Sequence, residues 1–307
     1  MPKTDVALSK TESVTVTEED ASNALRDAAE RLRPALHGYC ARMVGSTIDG
    51  EDAVQDALLR AHAAILAGIR PPEMRYWLFR LAHNCSVDLL RKRRPEVSID
   101  MEYLSEIGDP QAESALELAM QKQSAQTAIS SFLELPATQR STVILKDVLE
   151  YELSEIGHLL HMPVTAVKAA LHRGRTRLVE LAKVSSPKIS PPAPSPELRR
   201  FVELFNNHDW PSLTLMLSED VHLSQTARAD LRGRQQVSSK FFKGYSETQG
   251  WRLQEANPEG TECAAVFLDN APTPAYFMLL TWHGNVLVAI RDFRYARYVT
   301  GGAEITL

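Results

Sequence analysis

Thr165, Lys168, His172 and Arg175 recur at spacings of three and four residues, so on a helix they form one row of polar and cationic groups. Arg173 and Arg177 lie on its far flank. Such a row suits pairing with the acceptor edges of bases in a groove, or neutralisation of phosphates. It also suits an ordinary αα-corner with a solvated cationic face, and this stretch alone leaves both readings open. A second group, Arg70, Tyr76, Trp77, Arg80, His83, Asn84, Arg91, Lys92 and Arg93, interleaves rings with cations and amides. Rings stack on unpaired bases while polar groups bond their edges. A core helix with a solvated face accounts for Arg91–Arg94 equally well, because a cationic end complements the helix dipole.

The elements that must hold these residues are legible from periodicity. Leu153, Ile156, Leu159 and Leu160 predict a short amphipathic helix with Ser154 near its start. His161-Met162-Pro163 breaks it, and Pro163 fits the first turn of the next helix, where a missing N–H costs nothing. Val164, Val167, Leu171, Leu178 and Leu181 then form its packing face, which completes a helix-turn-helix pattern. Residues 21–94 are helical throughout, with a Gly/Pro-framed loop at AGIRPPEM. In the helix after that loop, Met74, Trp77, Leu78, Leu81, Cys85 and Leu89 predict the apolar face, with Arg80, His83, Asn84 and Arg91 opposite. Residues 95–131 form an acidic linker, and SSPKISPPAPSP at 185–196 is a proline-rich spacer marking the clearest domain boundary. Beyond it, residues 197–217 predict two short helices, the second capped by Asp209 with Pro211 in its first turn. Strand-like runs follow (DVHLSQTA, WRLQEANP, ECAAVFLD, PAYFMLLTWHG and NVLVAIRDFRYARYV), with Gly284-Asn285 where a hairpin turn falls between the last two. Helices followed by antiparallel strands make an α+β domain.

Composition bounds the rest. The chain has 307 residues and a net charge of −5, but the charge is segregated: residues 21–94 carry +4 and residues 95–131 carry −6. Local fields decide where a phosphate backbone sits, so the total does not exclude nucleic acid. Three scattered cysteines (Cys40, Cys85, Cys263) exclude a disulfide framework or clustered zinc site and suit a reducing cytosol. Residues 1–20 read as a polar mobile arm without a signal peptide, and no apolar run reaches membrane-span length, so a cytoplasmic location is expected. No cofactor and no metal is expected.

Three ordered blocks carry a resemblance: DGEDAVQDALLRAH, YWLFRLAHNCSVDLLRKRR, and LPATQRSTVILKDVLEYELSEIGHLLHMPVTAVKAALHRGRTRL. Residues 21–184 resemble the extracytoplasmic-function (ECF) sigma factors of the sigma-70 family, promoter-recognition subunits of bacterial RNA polymerase. The resemblance implies two all-α domains, region 2 (21–94) and region 4 (132–184), joined by a flexible linker. It implies that Asp49, Glu51, Asp52, Gln55 and Asp56 dock on core RNA polymerase, although each alone could be a solvated charge. Arg70 to Arg94 would melt and read the −10 element of promoter DNA. The helix from Thr165 to Arg177 would enter the −35 major groove, with Lys168, His172 and Arg175 on bases and Arg173 and Arg177 on phosphates. The acidic linker would occupy a basic channel. Ala170 and His161 depart from the family pattern, where arginine and glycine are common, so the −35 sequence preference does not carry over.

Residues 197–307 resemble the SnoaL-like, ketosteroid-isomerase-like cone on LRRFVELFNNHDWPSLTLMLSEDVHL, RGRQQV and GNVLVAIRDFRYARY. Some sigma factors carry such a tail, and there it tunes activity. A cone offers an apolar cavity for a small-molecule ligand without acid–base machinery. An enzymatic use would draw on His208, Asp209, His222, Trp282 or Asp292, each with a structural explanation of its own: a cap, an ion pair or packing. The expected function is therefore a non-enzymatic sigma factor with a fused regulatory domain. Two alternatives stand beside it. One is a free-standing helix-turn-helix regulator, which leaves residues 49–94 unused and needs a dimer to span two half-sites. The other is a small-molecule enzyme or sensor with accessory helices.

Overall fold

The computed structural model describes residues 18–93, 129–183, 193–225, 229–258, 261–302 and 305–306. Most of the acidic linker, most of the N-terminal arm and the first two thirds of the proline-rich spacer lie outside them. Three helices come first: α1 (Glu18–Val44), α2 (Thr47–Leu66) and α3 (Met74–Arg93). Glu18, Glu19 and Asp20, assigned to the arm from sequence, form the acidic first turn of α1, where carboxylates complement the helix dipole. Ser46 starts α2 by accepting the Asp49 N–H at 3.3 Å. A Cβ at Gly50 would lie 2.6 Å from the Ala41 Cα, so α1 and α2 cross at a contact that only glycine permits.

A 3₁₀ turn (Ile129–Glu134) leads into α4 (Ala137–Val143), which runs on as a π-turn (Ile144–Val148). Helices α5 (Leu153–Leu160) and α6 (Val164–Lys183) follow. A reciprocal capping box between Glu152 and Glu155 starts α5. The α5 C-cap, His161, is left-handed (φ 55°), a conformation unusual for a non-glycine residue. The turn folds back so tightly that a Cβ at Gly157 would meet the Met162 carbonyl at 2.7 Å.

The sequence resemblance implies two helical domains, and in the structure their apolar residues pack together in one core, with Leu36, Tyr39, Met43 and Phe79 from the first set of helices and Phe132, Val143, Tyr151 and Val167 from the second. Arg140 reaches across this junction: it donates to the Leu135 and Leu133 carbonyls at 2.8 and 3.0 Å and to the Met43 carbonyl of α1.

The C-terminal unit is α+β. Ser195 caps α7 (Pro196–Asn206), accepting the Leu198 N–H at 3.1 Å, so the end of the proline-rich spacer already serves as a helix start. Asp209 caps α8 (Trp210–Met216) through the Ser212 N–H at 3.1 Å, as its position predicts. Then come β1 (Leu217–Gln225), β2 (Ala229–Arg232) and α9 (Arg234–Gln236), which continues through a π-turn (Val237–Phe242) into α10 (Lys243–Ser246). Strands β3 (Trp251–Pro258), β4 (Cys263–Leu268), β5 (Tyr276–His283) and β6 (Val286–Asp292) precede a 3₁₀ turn (Arg297–Gly302) and β7 (Ile305–Thr306). The sheet order is β2-β1-β6-β5-β4-β3-β7. Among the described residues only the β1–β6 pairing is parallel, which makes the sheet mixed rather than antiparallel. The β5–β6 hairpin turns at Gly284-Asn285, with Gly284 at φ 58° and His283 paired to Val286. Its core centres on Phe205, whose ring meets Trp210, Phe242, Tyr245 and Trp251 at centroid distances of 5.0–6.1 Å.

Candidate nucleic-acid interface

Helix α6 buries Val167, Leu171 and Leu178 and leaves Lys168, His172, Arg173 and Arg177 exposed in one stretch, with Thr165 exposed at its start. Two assignments change here. Val164, expected on the packing face, is 41% exposed. Arg175, expected in the groove, is buried and turned inward, bonding Asp147 of the π-turn through Nε to Oδ2 at 3.0 Å and Nη2 to Oδ1 at 2.6 Å. The row of polar residues is regular in sequence. Yet Gly174, beside Arg175, packs so closely that a Cβ there would meet Val143 Cγ2 at 2.6 Å, and this face of α6 lies against α4. The usable cationic face is therefore Lys168, His172, Arg173 and Arg177, with Arg177 in a surface pair to Glu180 at 3.3 Å.

Helix α3 also departs from its pattern. Its buried residues are Leu78, Phe79, Ala82, Cys85 and Ser86, so Phe79 and Ser86 replace Met74 and Leu89 at the centre of the packing face. Trp77 is half-buried against the core. Arg70 donates to the Ile65 and Ile69 carbonyls at 2.8 and 2.9 Å, which ties the loop to the end of α2. Asn84, Arg91 and Lys92 are exposed, while Arg93 forks onto Asp49, with Nη2 to Oδ1 at 2.6 Å. The structure thus joins a residue assigned to DNA with one assigned to polymerase.

His83 is half-buried and held neutral: burial pushes its ring pKa down to about 4. Its Nδ1 lies 2.8 Å from the Tyr39 hydroxyl. Tyr76 and Arg80 face α5, and Arg75, which sequence reasoning passed over, bonds the Tyr151 hydroxyl just before it. No local signal marks Arg75, because its importance lies in a partner 76 residues away.

On α2, Gln55 is half-buried and Asp56 is exposed. Glu51 is fully buried: it pairs with Arg33 and accepts the Tyr298 hydroxyl at 2.9 Å, while Arg33 Nε donates to Tyr298 at 2.6 Å. Asp52 pairs with Arg291 at 2.6 Å. Tyr298 and Arg291 belong to the C-terminal unit, and Ile48 of α2 packs into that unit's core. With Asp49 held by Arg93, three of the five residues assigned to polymerase docking are engaged from within the chain, two of them by the C-terminal unit.

In the C-terminal unit the five candidates for chemistry have different neighbours. Asp209 caps a helix, His208 packs on Trp251 at 4.9 Å, Trp282 meets Phe201 at 6.4 Å, and His222 lies 3.7 Å from Asp230. Asp292 is fully buried; it accepts from Gln225 Nε2 at 3.1 Å and the Arg294 N–H at 3.0 Å, and burial raises its pKa to about 6. Among the described residues no helix is long and apolar enough to cross a membrane.

Comparison with known proteins bears on these surfaces. The chain matches the family models for Sigma-70 region 2 over residues 28–96 and Sigma-70, region 4 over residues 128–178. It is 30% identical to the ECF RNA polymerase sigma factor SigW of Bacillus subtilis over 163 residues, covering 51% of this chain and 87% of SigW. It is 29% identical to the ECF RNA polymerase sigma factor SigG of Mycobacterium tuberculosis, covering 59% of this chain and 55% of that protein. Among solved structures, the M. tuberculosis extracytoplasmic function sigma factor SigJ aligns with a TM-score of 0.34 at 19% identity, covering 87% of this chain and 95% of SigJ. With both region models in order and most of SigW's length matched, the chain belongs to the ECF sigma factors of the sigma-70 family.

Proposed function

We propose that the protein binds bacterial core RNA polymerase in the cytoplasm and directs it to promoters. In this reading α6 reads the −35 element and α3 the −10 element, and the C-terminal unit tunes the activity without catalysing a reaction. The observation that carries the proposal is the exposed cationic stretch of Lys168, His172, Arg173 and Arg177 on the second helix of a helix-turn-helix, in a chain whose family is defined by promoter recognition. These side chains present donors that fit guanine edges and phosphate oxygens. Gln55 and Asp56 are the docking residues of α2 that the intramolecular pairs leave unused. Run-off transcription with purified core polymerase tests the proposal: added chain should yield promoter-specific transcripts, and a chain that neither co-elutes with polymerase nor supports transcription would defeat it.

Lys168→Ala should weaken binding to −35 duplex DNA by about 1–3 kcal/mol while leaving the melting temperature unchanged, read by fluorescence anisotropy and thermal unfolding. Equal affinity for wild type and variant would remove Lys168 from the groove.

Regulation by the C-terminal unit is supported by its seat on α2. Tyr298→Phe removes the hydroxyl that bridges Arg33 and Glu51, leaving buried polar atoms short of partners at a cost of about 1–3 kcal/mol. Transcription by Tyr298→Phe should shift in the same direction as that of a chain ending at Pro196. A truncated chain with altered output beside an unaltered Tyr298→Phe variant would place the regulatory contact elsewhere.

A further inference from the structure

The first turn of α6 exposes an apolar side chain where the exposed surface beyond it is polar. Val164 is 41% exposed, although Leu160 and Met162 just before it pack against the core. Helical phase does not account for this. Val164 and Arg175 stand eleven residues apart, about three turns, so both point to nearly the same side of the helix. There Arg175 is buried and Val164 is open, so the first turn projects past the body of the helical unit. The preceding turn holds it in that position. His161 is left-handed at φ 55°, and the Met162 carbonyl packs so closely on Gly157 that no Cβ fits between them.

The surroundings of Val164 define what it can meet. Thr165 is exposed beside it and Lys168 one turn further on, and no carboxylate occurs between Val164 and Arg177. That charge is complementary to a polyanion, and the surface is continuous with the cationic face of α6. The exposed residues that follow, Thr165, Lys168, His172 and Arg173, are polar, so the apolar contact on offer is small. In the major groove the apolar feature of the base edges is the thymine C5-methyl group, while guanine presents acceptors to a lysine. Four residues of helix advance about 6 Å and successive base pairs about 3.4 Å, so residues 164 and 168 reach base pairs at most about two steps apart.

We propose that Val164 is a specificity-determining residue of the −35 contact: it packs on the C5-methyl of a thymine within about two base pairs of the guanine that Lys168 reads. The proposal deepens the promoter reading of α6 and rests on it. Part of the −35 preference is then set by a side chain of this chain's own, at the edge of the cationic face.

Selection from a duplex pool randomised across the −35 element, captured on the complex of the full chain with core polymerase, tests this. The pool is made once with thymine and once with uracil, which differs by the missing methyl. Wild type should enrich a T·A pair near a guanine from the first pool and show no preference for U·A at that position in the second. On the enriched duplex, exchanging that one thymine for uracil should weaken wild-type binding about fourfold, the transfer value of one buried methyl group. Val164→Ala should bind the thymine duplex about fourfold more weakly than wild type and be indifferent to the exchange. Val164 is exposed, so the substitution leaves the fold intact. Thr165→Ser, which removes the neighbouring methyl and keeps the hydroxyl, should retain the uracil penalty whatever its overall affinity. Lys168→Ala should relax selection at a guanine within about two base pairs of the thymine. Wild-type affinity that ignores the exchange, a uracil penalty that persists in Val164→Ala, or a Lys168-dependent guanine farther away would overturn the assignment and leave the −35 reading standing. A pool that yields no enriched sequence would defeat the −35 reading itself, and the thymine contact with it.

Discussion

Arg175→Ala should cost the helical unit about 3–5 kcal/mol in stability, the largest single-residue effect expected in the helix-turn-helix. The reason is the bidentate pair with Asp147, whose side chain is fully buried while that of Arg175 is 7% exposed. Removing the guanidinium leaves a carboxylate in the interior with its main counter-charge gone. Urea unfolding of the variant should show the midpoint shift. The double variant Arg175→Met with Asp147→Leu should recover much of the loss, since no charge is then stranded. Lys168→Ala provides the contrast, with DNA binding weakened and stability kept. A fully stable Arg175→Ala chain that has lost DNA binding would return Arg175 to the groove.

Acidification should move the two units in opposite directions. His37 is buried, with its Nε2 2.7 Å from the Thr47 carbonyl, and burial pushes its pKa down to about 4 against an ordinary 6.5. Between those values the unfolded chain binds the proton that the folded chain refuses, so stability present near neutrality is lost as pH falls. From pH 7 to pH 5 this amounts to about 2 kcal/mol for His37, and His83 acts in the same sense. Asp292 is the reverse case. Its folded pKa is raised to about 6 against 3.8, so between those values the folded chain holds a proton that the unfolded chain releases. The C-terminal unit thereby gains about 1 kcal/mol from Asp292 over the same interval. Hydrogen exchange resolved by segment should show protection falling in α1–α3 and rising in β1 and β6. His37→Gln should flatten the first trend and Asp292→Asn the second; parallel trends that ignore both substitutions would contradict the assignment.

Local pattern carried the architecture a long way. The helix-turn-helix, the Asp209 cap and the Gly284-Asn285 turn were each legible because their causes lie within a few residues: an apolar period, an N-cap, a positive φ. Arg175 shows where that logic stops. Its spacing matches Lys168 and His172, yet its direction is set by Asp147, a contact that no periodicity within α6 reveals. The same holds for Glu51, a plausible surface carboxylate in sequence and a buried partner of Arg33 and Tyr298 in the fold. The parallel β1–β6 pairing was illegible for a related reason, since it joins segments more than sixty residues apart with no hairpin signal between them. The cationic face and the family were readable from sequence; which cations turn inward, and which parts of the chain lie over others, required the packed structure.

The central claim is that this chain works as a subunit of a larger transcription machine. The most direct measurement is gel filtration of the full chain with purified bacterial core RNA polymerase, followed by run-off transcription from the collected complex. Co-elution at one-to-one stoichiometry with chain-dependent, promoter-specific transcripts is the predicted result. A chain that elutes apart from the polymerase and binds duplex DNA tightly on its own as a dimer would contradict it.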